Sequence, residues 1–399
     1  MAKRILSGLA ACGLLLAANP SRAEKLIDLV PGLYGGDGIL LATAEAASHT
    51  AHFSIGSAAS INRLNQQIAA EVGGFPVSST VGGFSFEFDP VLGDFVSTAQ
   101  SLGPVMAERA QAIGQGAFNF NLSFTHFSYD RFSGFDLGRF AVVARHDPDI
   151  IGFPDVPDQF EEDVLRIRMD LDIDVTLFAF AANYGLSDQA EIGFLLPYAS
   201  VDMQVKSRAR IEEGAGNTLF SGIHSFDPSV EGAEDRVSGS ASGIGDLVLR
   251  GKYRLPDWGA TQVAAALLVQ AGTADADNFL GTGDTALRPY IVLSRQLGKG
   301  ITPHLNLGYE HNFGATDQSA LEYILGFDWG KERYSVAAEL VGSHELDGDG
   351  IGDDIVDAAW GVKWNPWGQV LLAYNLRVPL NDAGLRASSV STLSLEFDF

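Results

Sequence analysis

The last nine residues of the chain, from Ser391 to Phe399, alternate strictly between polar and apolar side chains. Because successive side chains of an extended strand point to opposite faces, this segment has one apolar and one polar face. The apolar face consists of Leu393, Leu395, Phe397 and Phe399. Such a strand separates an apolar phase from a polar one, which restricts the chain to a β-sandwich or to a β-barrel in a membrane.

A final aromatic residue preceded by apolar residues at every second position resembles the terminal strand by which outer-membrane β-barrels of bacteria are recognised for assembly. The beginning of the chain agrees with export. Two basic residues precede an apolar run from Ile5 to Ala18, and the small residues Ser21 and Ala23 lie where a signal peptidase cleaves. We therefore predict a signal peptide at residues 1–23 and the outer membrane of a Gram-negative bacterium as the location.

Composition excludes two classes of protein. After the signal peptide the chain has 23 Lys and Arg against 50 Asp and Glu, a formal net charge of −27, which argues against nucleic acid as a partner. The same part has no run of eighteen apolar residues, so a helical membrane protein is excluded. The only cysteine, Cys12, has a context similar to a lipoprotein cleavage site, but the apolar run continues past it, which favours ordinary cleavage.

From Phe118 onwards the sequence predicts an all-β fold, a transmembrane antiparallel β-barrel of about twelve strands, with ten to fourteen allowed. Connections between strands alternate between short turns and mostly longer loops, as periplasmic turns and extracellular loops do. Four of the five tryptophans lie at the short turns, where they would form an interfacial girdle. The predicted strands cover residues 118–125, 164–184, 189–206, 244–255, 261–272, 286–297, 301–313, 320–329, 333–342, 355–364, 369–380 and 388–399.

Residues 24–116 carry no clean strand series. The apolar spacing in Ile61–Val72 predicts a short amphipathic helix, and alternating phenylalanines before an Asp-Pro turn predict a hairpin over 83–97. We predict that residues 24–116 form either a plug inside the barrel or a small periplasmic extension, and that residues 117–399 form the barrel.

Charged residues alternate along the second predicted strand. An arginine facing the middle of a bilayer costs roughly 2–4 kcal/mol, and so we predict that this charged face points into the lumen. The strand at 244–255 adds basic residues that can pair with the aspartates, either along a pore or in a packed ionic lattice. The predicted lumen-lining residues are Arg166, Arg168, Asp170, Asp172, Asp174, Arg250, Lys252 and Arg254.

One acidic loop combines carboxylates at alternate positions with flexible glycines, a pattern that suits oxygen coordination of Ca²⁺. Its candidate ligands are Asp347, Asp349, Asp353 and Asp354. The loop lacks the glutamate that completes an EF-hand, and a solvated acidic loop is the alternative. The sequence indicates no other cofactor.

Three histidines in predicted strands, His126, His304 and His311, would allow an outer-membrane hydrolase if a serine and an acid joined them. No spacing marks a nucleophile, and histidines in a barrel wall commonly serve as hydrogen-bonding groups. We therefore predict that the protein is not an enzyme.

Two segments carry a resemblance to a known family: Tyr184-Gly185-Leu186-Ser187-Asp188, and Gly243-Ile244-Gly245-Asp246-Leu247 running on to Lys252-Tyr253. They resemble the outer-membrane transporter family of the MetA pathway of phenol degradation, which is similar to the fatty-acid and hydrocarbon channels of Gram-negative bacteria. The resemblance implies passive uptake of small apolar or aromatic compounds, with outer-membrane lipid and the barrel assembly machinery as partners. A structural or adhesive surface barrel is the alternative, and an outer-membrane hydrolase a weaker one.

Overall fold

The computed structural model describes residues 101–146, 164–212, 234–314, 319–331, 333–346 and 354–399, with 25–30, 33, 41–42, 53–54, 68, 86–89, 94–97 and 225–226 from the remainder. Strands Phe86–Asp89 and Asp94–Ser97 pair as the predicted hairpin. Apart from Ile68, the helix predicted over Ile61–Val72 lies outside these residues. The described residues include three short 3₁₀ helices, Leu26–Asp28, Leu137–Arg139 and Ala276–Asn278. No helix in the described part of the chain is long and apolar enough to span a membrane.

Twelve long strands form the barrel, which confirms the predicted number. The second and third strands are about twice as long as the 9–11 residues that cross a bilayer. In chain order the strands are β1 (Phe118–Tyr129), β2 (Val164–Gly185), β3 (Ala190–Glu212), β4 (Leu247–Trp258), β5 (Thr261–Ala271), β6 (Ala286–Ser294), β7 (Ile301–Asn312), β8 (Ser319–Lys331), β9 (Tyr334–Glu345), β10 (Asp354–Trp364), β11 (Val370–Pro379) and β12 (Val390–Asp398).

The ring is antiparallel throughout and closed. Each strand pairs with the next in the sequence, and β12 pairs with β1 in a register that places Leu395 beside Leu122. Phe118 and Phe399 exchange both backbone hydrogen bonds at 2.8 Å, so the aromatic terminus completes the closure. A closed ring has no free edge, so each strand has a hydrogen-bonding neighbour on both sides.

The polarity of the barrel is the reverse of that of a soluble protein. Large apolar side chains such as Leu122, Phe178 and Leu325 are exposed on the outside, whereas Asn119, Glu191 and similar polar residues are buried on the inside. On β12, Leu393 is 57% exposed while its neighbour Thr392 is 3% exposed, as the alternation predicted. This pattern excludes a soluble sandwich and is that of a barrel in lipid.

The two ends of the barrel differ. At one end, short turns connect β2 to β3, β4 to β5, β6 to β7, β8 to β9 and β10 to β11, and Trp258, Trp329, Trp364 and Trp367 are exposed beside them. We call this the turn end and the adjacent interior the turn half. The opposite end, with the longer connections, is the loop end, and the interior beside it is the loop half.

Strands β2 and β3 continue beyond the ring at the loop end. They remain paired up to Val164 and Glu212, while β4 pairs with β3 only over Ala190–Leu195. Two further strands flank the extension: Phe140–His146 pairs with β2, and Glu234–Ile244 pairs with β3. We call these four strand segments the protruding sheet. Four short pairings complete the described strands. Leu41–Ala42 pairs with Ser225–Phe226, and Phe53–Ser54 pairs with Arg145 and His146 at the edge of the main sheet. Arg131–Phe132 pairs on both sides, with Phe135–Asp136 and with Leu385–Arg386, to form a three-stranded sheet.

Candidate solute path through the barrel

Residues 101–116, which we call the inner segment, occupy the turn half. They form no helix or strand, and most of them are buried. The backbone amides and carbonyls of a buried segment without regular structure require partners from elsewhere in the fold. The side chains of the barrel wall supply these partners, and the wall and the inner segment therefore form one hydrogen-bonded unit.

Two wall carboxylates accept hydrogen bonds from the backbone of the inner segment. Glu339 accepts the N–H groups of Met106 and Ala107 at 2.8 and 3.0 Å. Glu191 accepts the N–H of Ile113 at 2.9 Å. Hydrogen bonds to a charged acceptor are stronger than neutral ones, particularly where water is excluded. These carboxylates hold the inner segment against the wall.

A charge network joins the inner segment to β3, β4 and β6. Arg250 donates to Glu191 at 2.7 Å and to Glu108 at 2.9 Å, and Lys252 lies 3.0 Å from Glu191. The Tyr290 hydroxyl donates to Glu108 at 2.6 Å. The side chains of Arg250, Lys252 and Glu191 are at most 4% exposed. Two cations and two anions balance one another here, so the network can remain ionised while buried.

A second network links β6, β7 and β8 to the inner segment. Ala110 donates its N–H to the Ser294 hydroxyl at 3.1 Å, and Ser294 Oγ lies 3.0 Å from His304 Nδ1. His304 Nε2 hydrogen-bonds Asp328, which also accepts the Ser101 hydroxyl. If Asp328 is ionised, His304 donates through Nε2 and accepts from Ser294 through Nδ1. Each polar atom in this sequence of contacts has a partner.

This network also bears on whether the three histidines considered for a hydrolase could form a catalytic site. Ser294, His304 and Asp328 have the composition of a catalytic triad. However, Ser294 is only 1% exposed, and its hydroxyl is hydrogen-bonded by the Ala110 amide. His126 lies on the outside of β1 and hydrogen-bonds Thr176 at 3.0 Å, and His311 lies 3.0 Å from Ser319. The arrangement of His304 therefore serves to hold the inner segment.

A glycine in the wall allows the inner segment to approach closely. A Cβ atom on Gly361 of β10 would lie 2.4 Å from Val105 Cγ1 and 2.9 Å from the Tyr374 carbonyl. Real Cβ atoms do not make contacts this short, and so any larger residue would displace Val105. The packing of the inner segment is thus matched in shape as well as in hydrogen bonding.

In the loop half, the inner face of the protruding sheet is apolar, and buried side chains from β2 and β3 meet the loop between β5 and β6 there. Residues 25–30, which we call the N-terminal turn, pack against this surface with Leu26 and Leu29 buried. Lys25 pairs with Asp277, whose hydrogen bond raises the pKa of the lysine. We call the site the apolar chamber and define it by Ile173, Val175, Val201, Met203, Phe279 and Leu280.

Asp246 organises the loop that contributes Phe279 and Leu280. Its carboxylate accepts the N–H groups of Thr273, Ala274 and Thr282 at 3.0, 2.9 and 2.8 Å, and it is 2% exposed. This is the aspartate of the Gly-Ile-Gly-Asp-Leu segment singled out in the sequence. Its role is to fold the loop over the barrel mouth.

Other strands of the loop half carry charges that are partly or fully buried. Arg288 on β6 lies 2.9 Å from Glu322 and donates to Glu310 at 2.6 Å. On β10, Asp357 pairs with Arg386 at 3.0 Å. The apolar chamber therefore occupies the side of the loop half formed by β2 and β3, and paired charges line other parts of the wall.

The charged face of β2 lies on the opposite side from the one predicted. Arg166, Arg168, Asp170, Asp172 and Asp174 share the outer face of the strand with Phe178, while the intervening apolar residues are buried or, at Ile167, partly buried. The prediction that these five charges line the lumen is wrong, because they belong to the protruding sheet and face water beyond the lipid. Arg166 donates to Glu212 at 2.7 Å there, which lowers the pKa of that carboxyl.

The predicted pairing between β4 and these aspartates is also absent. Arg250 and Lys252 lie inside the barrel with Glu108 and Glu191, as described above. Arg254 pairs with Asp257 at 3.2 Å near the turn end. Asp170 and Asp172 lie instead 3.5 and 3.8 Å from Lys206, on the outer face of β3.

The acidic loop considered for Ca²⁺ lies mostly outside the described residues, which include only Asp354 of its four candidate ligands. Asp354 hydrogen-bonds His344. Within the described part of the chain, no group of three or more His, Cys, Asp or Glu side chains is placed to hold a metal ion. The calcium site remains a prediction.

Sequence reasoning missed the main polar residues of the interior, such as Glu108, Glu191, Asp328 and Glu339. The three in strands occupy the polar face of alternating segments, so their inward direction was available as a signal. Their hydrogen-bond partners could not be predicted, because these partners lie in a segment without periodicity and far away in the sequence. Ile113 is 78 residues from Glu191, and Met106 is 233 residues from Glu339.

Comparison with known proteins gives one family match. A family model described as MetA-pathway of phenol degradation matches residues 154–382, more than half of the chain. This range includes β2 to β11 and both motif segments from the sequence. A comparison with curated proteins gives no match.

Among solved structures, the fold is similar to outer-membrane channels. An outer membrane channel from Pseudomonas putida F1 is 16% identical, with 73% of this chain and 98% of that chain covered at a TM-score of 0.45. The NanC porin is 6% identical; the match covers 69% of this chain and 98% of that chain, with a TM-score of 0.38. The CymD monoaromatic hydrocarbon channel is 9% identical; the match covers 72% of this chain and 89% of that chain, with a TM-score of 0.33.

Proposed function

Because this chain belongs to the family described as MetA-pathway of phenol degradation, we propose that it is an outer-membrane channel for passive uptake of small apolar or aromatic compounds. The observation that carries the proposal is the apolar chamber. Its lining faces inward at the loop end, where the outside of the protruding sheet is charged. An apolar surface built toward the entrance of a barrel attracts solutes that water excludes.

The orientation places the loop end at the cell surface and the turn end at the periplasm. Bacterial outer-membrane barrels have short periplasmic turns and longer outer loops, and the exposed tryptophans at the turn end suit a membrane interface. In this orientation the apolar chamber faces incoming solute, and the inner segment lies on the periplasmic side.

We propose that residues 24–116 act as a plug rather than as a periplasmic extension. The contacts of Met106, Ala107, Ala110 and Ile113 with the barrel wall support this assignment. The hydrogen-bonded lattice of the turn half holds the plug, and solute passage then requires part of the inner segment to move. The proposal assigns no catalytic role to Ser294, His304 or Asp328.

Uptake by intact cells tests the proposed function. Cells that produce the protein should take up radiolabelled toluene at low external concentration faster than matched cells without it. The outer leaflet of lipopolysaccharide slows direct partition, so a channel has a measurable effect. Equal initial rates would overturn the transport assignment in favour of a structural or adhesive barrel.

Assembly through the terminal strand has a separate test. Deletion of Phe399 removes the backbone groups that pair with Phe118, and so it should lower the fraction of protein that migrates as a folded, heat-modifiable band on a denaturing gel. Phe399→Tyr keeps those groups and an aromatic ring, and it should assemble like the unmodified chain. Normal assembly of the deletion variant would contradict recognition through this strand.

A further inference from the structure

The N-terminal turn occupies the apolar chamber in the manner of a ligand. Leu26 and Leu29 are 1% and 3% exposed, and they pack with the lining residues of the chamber in one cluster. Gly239 of the protruding sheet lies directly against both leucines. A Cβ on Gly239 would lie 2.9 Å from Leu26 Cδ2 and 3.2 Å from Leu29 Cδ1. The two leucines are thus seated in a surface shaped to receive apolar groups.

Polar contacts add little to this attachment. Lys25 pairs with Asp277, but the two side chains are 52% and 48% exposed, and ion pairs in water contribute little to stability. The N–H of Leu26 donates to Asn278 at 3.2 Å. Apolar burial therefore dominates, and burial is non-directional, so another apolar molecule is able to replace the leucines.

We propose that the apolar chamber is the first binding site for solute on the path through the barrel, and that an uncharged hydrocarbon-like molecule binds there by displacing Leu26 and Leu29. The six residues that define the chamber carry no charge, which selects against ions. A single aromatic ring or a short alkyl chain matches the side chains that now fill it. This inference rests on the proposed function and names the site where the solute binds.

Competition with a covalently attached segment has a quantitative consequence. The N-terminal turn is always present at a high effective concentration, and the apparent affinity for solute equals the intrinsic affinity multiplied by the fraction of chambers that the turn leaves free. Removing apolar groups from the turn should therefore strengthen solute binding. Fixing the turn in place should abolish binding without any change in the chamber lining.

A disulfide between two introduced cysteines would fix the N-terminal turn in the apolar chamber, and we call this double variant the lock. Leu26→Cys combined with Gly239→Cys places two thiols at the contact described above, and the exported chain otherwise has no cysteine when the signal peptide containing Cys12 is removed. The matched control is Arg208→Cys with Glu234→Cys. These two residues pair across strands on the outer face of the same sheet, where their side chains are 70% and 66% exposed. Bridging is verified by loss of free thiol.

The readout is the initial rate of radiolabelled toluene uptake by cells. With the lock oxidised, uptake should fall to the rate of cells without the protein, and reductant should restore it, while the control pair has no effect in either state. In the opposite direction, Leu26→Ala with Leu29→Ala should lower the half-saturating toluene concentration by about tenfold, because each buried leucine contributes enough apolar burial for such a change. If the double variant loses its heat-modifiable band and is therefore not folded, the same measurement is made on Leu26→Ala alone, which should shift the half-saturating concentration in the same direction.

The outcomes separate the two proposals. If the unmodified protein speeds toluene uptake but the oxidised lock does too, or if the alanine variants leave the half-saturating concentration unchanged, the displacement site is wrong and the channel remains. If the unmodified protein gives no uptake above that of cells without it, the proposed function fails first.

Discussion

The inner segment and the N-terminal turn both fill the barrel interior, but they are held by different chemistry. The inner segment is attached through directional contacts, such as the Glu339 hydrogen bonds at 2.8 and 3.0 Å and the Arg250 network. The N-terminal turn is attached mainly by burial of Leu26 and Leu29. Loss of one partner leaves a buried charge in the first case and only a cavity in the second.

This difference indicates which part of the barrel interior is rigid and which part can exchange its contents for a solute. A buried polar lattice has one satisfied arrangement, and most displacements cost hydrogen bonds that water cannot replace. An apolar surface accepts any occupant of similar size. The turn half therefore stabilises the fold, whereas the apolar chamber is the region suited to exchange an internal group for a solute.

The largest expected effect is in the turn half. Arg250→Ala leaves Glu108 and Glu191 with less than their full countercharge, and breaking a buried pair of this kind costs about 3–5 kcal/mol. Urea unfolding of the detergent-solubilised barrel, followed by the gel shift, measures the loss. Arg254→Ala is the control, because its pair with Asp257 is about two-fifths exposed and should contribute less than about 1 kcal/mol. Equal losses of unfolding free energy in both variants would contradict the idea that the buried charge network stabilises the barrel more than an exposed ion pair does.

The second effect concerns the polar anchor beside the apolar chamber. Asp246→Ala removes the acceptor of four backbone amides, at a cost of about 2–3 kcal/mol for hydrogen bonds to a charged group. The loop over 272–285 should then open more often, and proteinase K should cleave it about 30-fold faster or more. Asp246→Asn keeps one acceptor oxygen and should show a smaller increase. A cleavage rate unchanged by the alanine variant would contradict this role.

A cavity in the apolar chamber should cost less than the broken charge network. Met203→Ala is expected to destabilise by about 2 kcal/mol, the lower end for a buried methionine, because Leu26 and Leu29 are able to shift into the space. Urea unfolding measures it, and Met203→Leu should cost less than about 1.5 kcal/mol. A loss as large as that of Arg250→Ala would mean that the chamber is packed as rigidly as the turn half.

The smallest effect is expected on the outer face of the protruding sheet. Asp172→Asn combined with Asp174→Asn should change stability by no more than about 0.5 kcal/mol, as is usual at exposed positions. Ion selectivity in planar bilayers should be unchanged, because both side chains face water outside the barrel. Altered selectivity would return these residues to the lumen, as the cost of placing charge in lipid had suggested.

The sequence by itself determined the barrel to a large extent. Alternation with period two is a local property, and it predicted twelve strands, the buried polar face of β12 and the aromatic residues at the short turns. A closed barrel was expected from the same pattern, because a terminal strand with a lipid face needs a neighbour on each side, whereas the pairing of Phe118 with Phe399 came from the structure. These features depend on residues one or two positions apart.

Tertiary structure alone decided which way the charges of β2 point and what fills the interior. Alternation defines two faces but does not say which one faces inward, and the rule that charges avoid lipid fails for Arg166 to Asp174 because β2 extends beyond the bilayer. The partners of Glu191, Glu339 and Gly239 come from segments distant in sequence, and neither the inner segment nor the N-terminal turn has a periodic pattern. Contacts of this kind exist only after the ring closes, since closure brings the wall of the barrel around the chain inside it.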